Sequence, residues 1–179
     1  MEPAKEQTLF NPEQFSLEEI LKPVNCALVV VDIQNDFCDP KGFFAQNLKQ
    51  DVSQMQSVVP RIQVLIDIAH HASVPVIFTK GYEDVRFRKG PDLRRAVKWQ
   101  ESDGTGTVNS EGGTWGAKFY QLKPEVDRDI VVEKHKWSAF DGKDASGRDL
   151  KQILDQIGVK TLVVTGVVAE TCVETTIRD

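Results

Sequence analysis

Short apolar runs alternating with amphipathic segments predict an α/β fold, three layers deep (α/β/α), around a mostly parallel sheet. Three observations carry that expectation. Four β-branched runs are spaced along the chain, the runs are too continuous for one-faced strands, and helical stripes fall between them. Strands buried on both faces read in this way, and parallel sheets bury both faces. Ser16-Leu17-Glu18-Glu19 reads as a capping box that opens a short helix, which Pro23 terminates. Cys26–Val31 is the first strand and stops at Asp32. A loop holding Asp39-Pro40-Lys41-Gly42 follows, and then a helix near Pro60, with Ile62, Leu65, Ile66 and Ala69 at helical spacing. Val74–Thr79 is the second strand, its proline tolerable only at the entry. Asp129–Glu133 is the third and stops at Lys134. Leu150, Ile153, Leu154 and Ile157 form a second stripe ended by Gly158, and Thr161–Val164 completes the set.

Composition narrows the function classes. A chain of 179 residues with 40% hydrophobic content is the size of one domain with a real core. Residues 1–23 read as an extension carrying the short helix, and 24–179 as the domain. The net charge of −5 argues against nucleic-acid partners, which favour a basic face. No apolar run approaches the roughly 20 residues that span a bilayer, so no membrane partner is expected. Three cysteines, Cys26, Cys38 and Cys172, have no paired spacing, and the charged N-terminus lacks an apolar signal core. A reducing, cytoplasmic location is the expectation; non-conventional secretion would leave no such mark.

The stretch 81–121 departs from the pattern. It carries Arg86, Arg88, Arg94 and Arg95, then Gly104-Thr105-Gly106 and Gly112-Gly113-Thr114-Trp115-Gly116. Long loops of this kind serve as lids or insertions, and an arginine there is suited to a substrate carboxylate. The glycines neither follow a strand directly nor precede a Walker lysine, so they do not read as a phosphate cradle.

Reactive groups concentrate at strand ends. In a parallel sheet the carboxyl ends share one edge, where ligands bind. Asp32, Lys134 and Cys172, which follows the fourth strand, are therefore expected on one rim. A carboxylate base, an ammonium and a thiol make a nucleophilic set. A helix beginning near Cys172 and a nearby Lys134 would both favour thiolate, so Cys172 is expected to ionise more readily than Cys26.

Three stretches resemble the isochorismatase-like superfamily of cysteine hydrolases: Val29-Val30-Val31-Asp32-Ile33-Gln34-Asn35-Asp36-Phe37, Val132-Glu133-Lys134-His135-Lys136-Trp137-Ser138-Ala139-Phe140, and Thr165-Gly166-Val167-Val168-Ala169-Glu170-Thr171-Cys172-Val173. That superfamily includes nicotinamidases, ureidoacrylate amidohydrolases, carbamoylsarcosine amidases and isochorismatases. The resemblance runs from Val24 to Asp179 and implies a Rossmann-like core. It implies Asp32 as general base, Lys134 as its electrostatic partner and Cys172 as nucleophile. It further implies a cis peptide between Val167 and Val168, with the N–H groups of Val168 and Cys172 as the oxyanion hole. Asn35, Phe37 and Trp137 match positions that wall the substrate pocket, although Asn35 is equally suited to bracing its loop and the aromatic pair to core packing.

The implied reaction is hydrolysis of a small amide, carbamate or ureido compound through a thioester. Isochorismate hydrolysis releasing pyruvate and a non-catalytic binding role are the alternatives. Many nicotinamidases carry an Asp-x-His zinc pattern after the second strand, but here Thr79-Lys80-Gly81-Tyr82-Glu83-Asp84 has no histidine. No metal or other cofactor is expected. His70 and His71 fall at a helix end, and strand alternation would turn His135 away from Lys134. Relatives continue with further strands and helices beyond the position of Asp179. The fourth strand is thus expected to be an open edge, in a truncated product or in a homo-oligomer whose second copy covers it.

Overall fold

The computed structural model describes residues 16–82 and 109–179. Arg86, Arg88, Arg94, Arg95 and the Gly104-Thr105-Gly106 run lie outside the described residues. Four strands, β1 (Cys26–Val31), β2 (Val76–Gly81), β3 (Ile130–Lys134) and β4 (Thr161–Gly166), form one sheet in the order β3-β2-β1-β4. All three pairings are parallel. β1 lies inside the sheet, and its six residues are all buried. Its alternate side chains supply two cores. Leu28 and Val30 pack with Val59, Ile62, Ile66 and Phe78, under the helix Ser53–His71. Ala27, Val29 and Val31 pack with Ile77, Val132, Leu150 and Ile153, under the helix Leu150–Ile157. A helical layer thus covers each face, and each fully buried Val, Leu or Ile contributes about 1.5–3 kcal/mol relative to exposure.

The helices follow their sequence signals with some displacement. Helix α1 (Leu17–Ile20) starts where the Ser16 hydroxyl accepts the Glu19 N–H. Two single turns, α2 (Asn35–Cys38) and α3 (Phe43–Gln46), fill the loop after β1. Helix α4 (Ser53–His71) begins earlier than the proline suggested: Pro60 is inside it. Proline costs most where it removes a helix hydrogen bond, yet 19 residues of packed helix tolerate it. Leu65 was expected in the core and is 39% exposed, because the buried stripe runs through Val59, Ile62, Ile66 and Ala69. The second strand begins one residue after Pro75, whose carbonyl still accepts the Leu28 N–H. Helix α5 (Leu150–Ile157) has a complete capping box between Asp149 and Gln152 and is closed by Gly158.

β4 is an edge of the described sheet, and its six residues are all half-buried. Gly166 ends it at φ 131°, opposite Val31, where a Cβ would lie 2.1 Å from the Val31 carbonyl oxygen. Only glycine accepts both that φ and that approach. Beyond it the Val167–Val168 peptide is cis, as the resemblance implied. No described helix is long and apolar enough to cross a membrane.

Candidate active site

The carboxyl edge of the sheet gathers the reactive groups. Asp32 leaves β1 with φ 50° and is fully buried. The Thr79 hydroxyl, from β2, donates to Asp32 Oδ1 at 2.7 Å and accepts the Asp32 N–H at 3.2 Å. Lys134, the last residue of β3, is 1% exposed and sets Nζ 2.7 Å from Asp32 Oδ2. The same Nζ donates to the Lys136 carbonyl at 3.0 Å. Nζ and Oδ2 form a buried ion pair, and removing one partner of such a pair strands the charge of the other.

Cys172 completes the group. Val168 leads into a π-turn, Ala169–Val173, and the five-residue helix α6 (Glu174–Arg178) follows. The Val168 carbonyl accepts from the N–H groups of Thr171 (3.1 Å) and Val173 (3.2 Å), which folds the turn back on itself. Thr176 locks it further: its hydroxyl donates to the Cys172 carbonyl at 2.7 Å and accepts the Ala139 N–H at 3.0 Å. The thiol interacts with both Asp32 and Lys134.

The expectation of a ready thiolate is corrected here. Burial pushes the Cys172 thiol up to about 12, the Asp32 charge adds to this, and the Lys134 ammonium only partly opposes it. A helix of five residues after a π-turn offers little dipole to compensate. Burial likewise raises the Cys26 thiol. For Lys134, burial disfavours charge, but Asp32 and Cys172 outweigh it and the ammonium is held above its usual range. At rest a neutral thiol therefore lies beside the Lys134 ammonium.

A small cavity of ≈ 20 Å³ lies against these groups. Asp32, Lys134 and Cys172 form its floor, with Phe37 and Trp137, both expected there, among its walls. Phe37 also packs edge-on against Phe44, so it is core and wall together. Asn35 is not a wall: its side chain donates to the Trp115 carbonyl at 2.8 Å and braces the returning loop. His135 was expected to point away from Lys134, yet it lines the same cavity, because β3 ends at Lys134 and strand alternation ends with it. His70 lies at the other end of the sheet, 2.8 Å from Asp129, as a helix-end residue should. Among the described residues no group of three or more His, Cys, Asp or Glu side chains is placed to hold a metal ion.

Several residues of the site were not anticipated. Gln34 is fully buried and clasps β2, donating to the Gly81 carbonyl (2.9 Å) and accepting its N–H (2.7 Å). It also donates to the Ala117 carbonyl at 3.1 Å, tying the returning loop to the rim. Ser110 enters the cavity wall on that loop, its N–H donated to Asp36 Oδ2 at 2.6 Å. Tyr82 lines the cavity and donates to Glu133 at 2.9 Å. Thr79 and Gln34 were within reach of a sequence reading, since both sit at strand ends beside Asp32. Ser110 was not, because it reaches the rim from far along the chain.

Known proteins share this architecture. The isochorismatase domain family matches residues 26–179. A ureidoacrylate amidohydrolase of Acinetobacter baylyi is 31% identical over 170 residues, covering 89% of this chain and 66% of that protein. The chain thus spans about two thirds of the length of such relatives. A cysteine hydrolase from Pseudomonas syringae pv. phaseolicola superposes with a TM-score of 0.69 at 28% identity, over 89% of this chain and 67% of that one. An N-carbamoylsarcosine amidase from Thermoplasma acidophilum superposes with a TM-score of 0.64 at 25% identity, over 87% and 75%. The family match takes in every strand of the sheet and all three residues on the cavity floor, and on that ground the chain belongs to the isochorismatase family.

Proposed function

We propose that this chain is a hydrolase that cleaves a C–N bond of a small amide, carbamate or ureido compound through a thioester on Cys172. The observation that carries the reading is a neutral thiol beside a buried Asp32–Lys134 pair at the floor of a small cavity. Asp32 accepts the thiol proton at Oδ2 as sulfur attacks the substrate carbonyl. Proton transfer and attack proceed together, since a free thiolate is disfavoured at rest. Lys134 offsets the charge that builds on sulfur and carboxylate. The N–H groups of Val168 and Cys172 hold the developing oxyanion; one such donor is worth about 2.7–4 kcal/mol in other hydrolases. Asp32 returns its proton to the departing nitrogen. Water then attacks the thioester, giving a proton to Asp32, and the thiol is restored.

Further support comes from the relatives' names, an amidohydrolase and an amidase. The test is turnover on a panel containing ureidoacrylate, N-carbamoylsarcosine, nicotinamide and isochorismate, with wild type and Cys172→Ala. Ammonia release that is lost in Cys172→Ala, together with an acyl adduct on Cys172 by mass spectrometry, is the expected result. Pyruvate release from isochorismate by both proteins would overturn it.

A further inference from the structure

We propose that Thr79 is a positioning residue for the proton transfer assigned to Asp32, an inference that rests on the reading above. Its hydroxyl occupies Oδ1 and so leaves Oδ2 as the oxygen that receives the Cys172 proton. Thr79 is fully buried on β2, one residue beyond Phe78, which pairs with Val30 of β1. Its hydroxyl has one hydrogen, and the incoming Asp32 N–H, at 3.2 Å, fixes where that hydrogen can point. It points to Oδ1, at 2.7 Å.

Two consequences follow from that clamp. The carboxylate cannot rotate without breaking a buried hydrogen bond, so Oδ2 stays aimed at Lys134 and Cys172. Oδ1 is already an acceptor, so a proton arriving there would have to displace the threonine hydrogen. Oδ2, by contrast, faces the Lys134 ammonium at 2.7 Å, and that ammonium also interacts with the Cys172 thiol. Asp32 also sits at φ 50°, a conformation uncommon for a non-glycine residue, and the bond from its N–H to Thr79 holds it there.

Valine matches threonine in shape and lacks both hydrogen bonds, which makes Thr79→Val the informative change. A probe that does not require the natural substrate is para-nitrophenyl acetate. Sulfur of Cys172 bonds to the acetyl carbon, its proton passes to Asp32 Oδ2, and para-nitrophenolate leaves with the electrons of the broken ester bond. In single-turnover measurements, Thr79→Val should acylate about 10- to 100-fold more slowly, the range that a small misplacement of reacting groups produces. Half-saturation should move less than about twofold, on the same reasoning that the acyl site is untouched. Thr79→Ser, which keeps the hydroxyl, should recover the rate. Should Thr79→Val fail to fold, Thr79→Ala leaves room for a water and is expected to show the same loss. Acylation by folded Thr79→Val or Thr79→Ala at the wild-type rate, with Cys172→Ala inert, would overturn the role of Thr79 alone. Nitrophenolate release by Cys172→Ala at the wild-type rate would overturn the nucleophile assignment instead.

Discussion

Two buried carboxylates stand at opposite ends of the sheet, each against a basic side chain, and they are finished differently. Asp129, just before β3, accepts from His70 Nε2 at 2.8 Å on one oxygen and from the Glu125 N–H at 2.8 Å on the other. His70 also lies 3.3 Å from Glu125, which is paired with Arg128. Both oxygens are used, and the cluster fastens the end of α4 to the start of β3. Asp32 has one oxygen bound by Thr79 and the other against the Lys134 ammonium, with the Cys172 thiol also in contact. Asp129 faces a histidine and a backbone N–H, whereas Asp32 faces an ammonium and a thiol, the pair that the proposed proton transfer needs.

Removing Lys134 should break the comparison most visibly. Lys134→Met leaves the Asp32 charge buried without its partner, and losing one half of such a pair costs about 3–5 kcal/mol. Urea unfolding measures this; a loss under about 1 kcal/mol would mean that the pair is solvated after all. His70→Ala should cost less, about 1–3 kcal/mol, because it strands one oxygen of Asp129 while the Glu125 N–H still serves the other. Its acylation rate with para-nitrophenyl acetate should stay within about twofold of wild type, since the cluster lies at the far edge. A large drop in that rate would show that the two ends are coupled.

The smallest effect belongs to Asp144, an exposed-loop counterpart of both. Burial would raise its carboxyl, but hydrogen bonds from Ser146 and Arg148 win and hold it down at about 2. A depressed carboxyl contributes stability above its unfolded value of 3.8 and loses it as pH falls through about 2. Asp144→Asn should therefore be less stable than wild type at pH 7 by roughly 1 kcal/mol or less, and the gap should close between about pH 4 and 2. Thermal melts across that range check it. A gap independent of pH would mean that the lost contact is not charge-dependent.

The fold was legible because its signals are local and redundant. Four apolar runs, the helical stripe of α5 and Gly158 after it all agree with one parallel sheet. The site was legible in outline because strand ends share an edge, which is why Asp32, Lys134 and Cys172 could be expected together from far-apart positions. What could not be read was the electrostatic balance. A sequence lists an ammonium near a thiol but does not weigh desolvation against it, so the thiolate expectation failed at Cys172. Nor does it show which polar side chains are consumed by bracing: Asn35 is spent on the Trp115 carbonyl and Gln34 on Gly81. Segment ends were misplaced at α4, where Pro60 was read as lying near the entry, and at β2, where Pro75 was admitted into the strand.

Burial and then the Asp32 charge hold the Cys172 thiol neutral at rest, and in the proposed mechanism Asp32 accepts its proton during attack. Asp32→Asn separates these two effects, and the decisive measurement compares iodoacetamide labelling of Cys172 with acylation by para-nitrophenyl acetate across about pH 7–10. Because the Asp32 charge helps to raise the thiol, its removal should bring thiolate within easier reach. Labelling of Cys172 in Asp32→Asn should accordingly be faster than in wild type at each pH. Acylation at pH 7 should instead fall by about 100-fold or more, the usual loss when a general base is removed. Opposite movements of the two rates are the predicted result. Labelling and acylation that fall together, or an acylation rate that Asp32→Asn leaves unchanged, would contradict the claim.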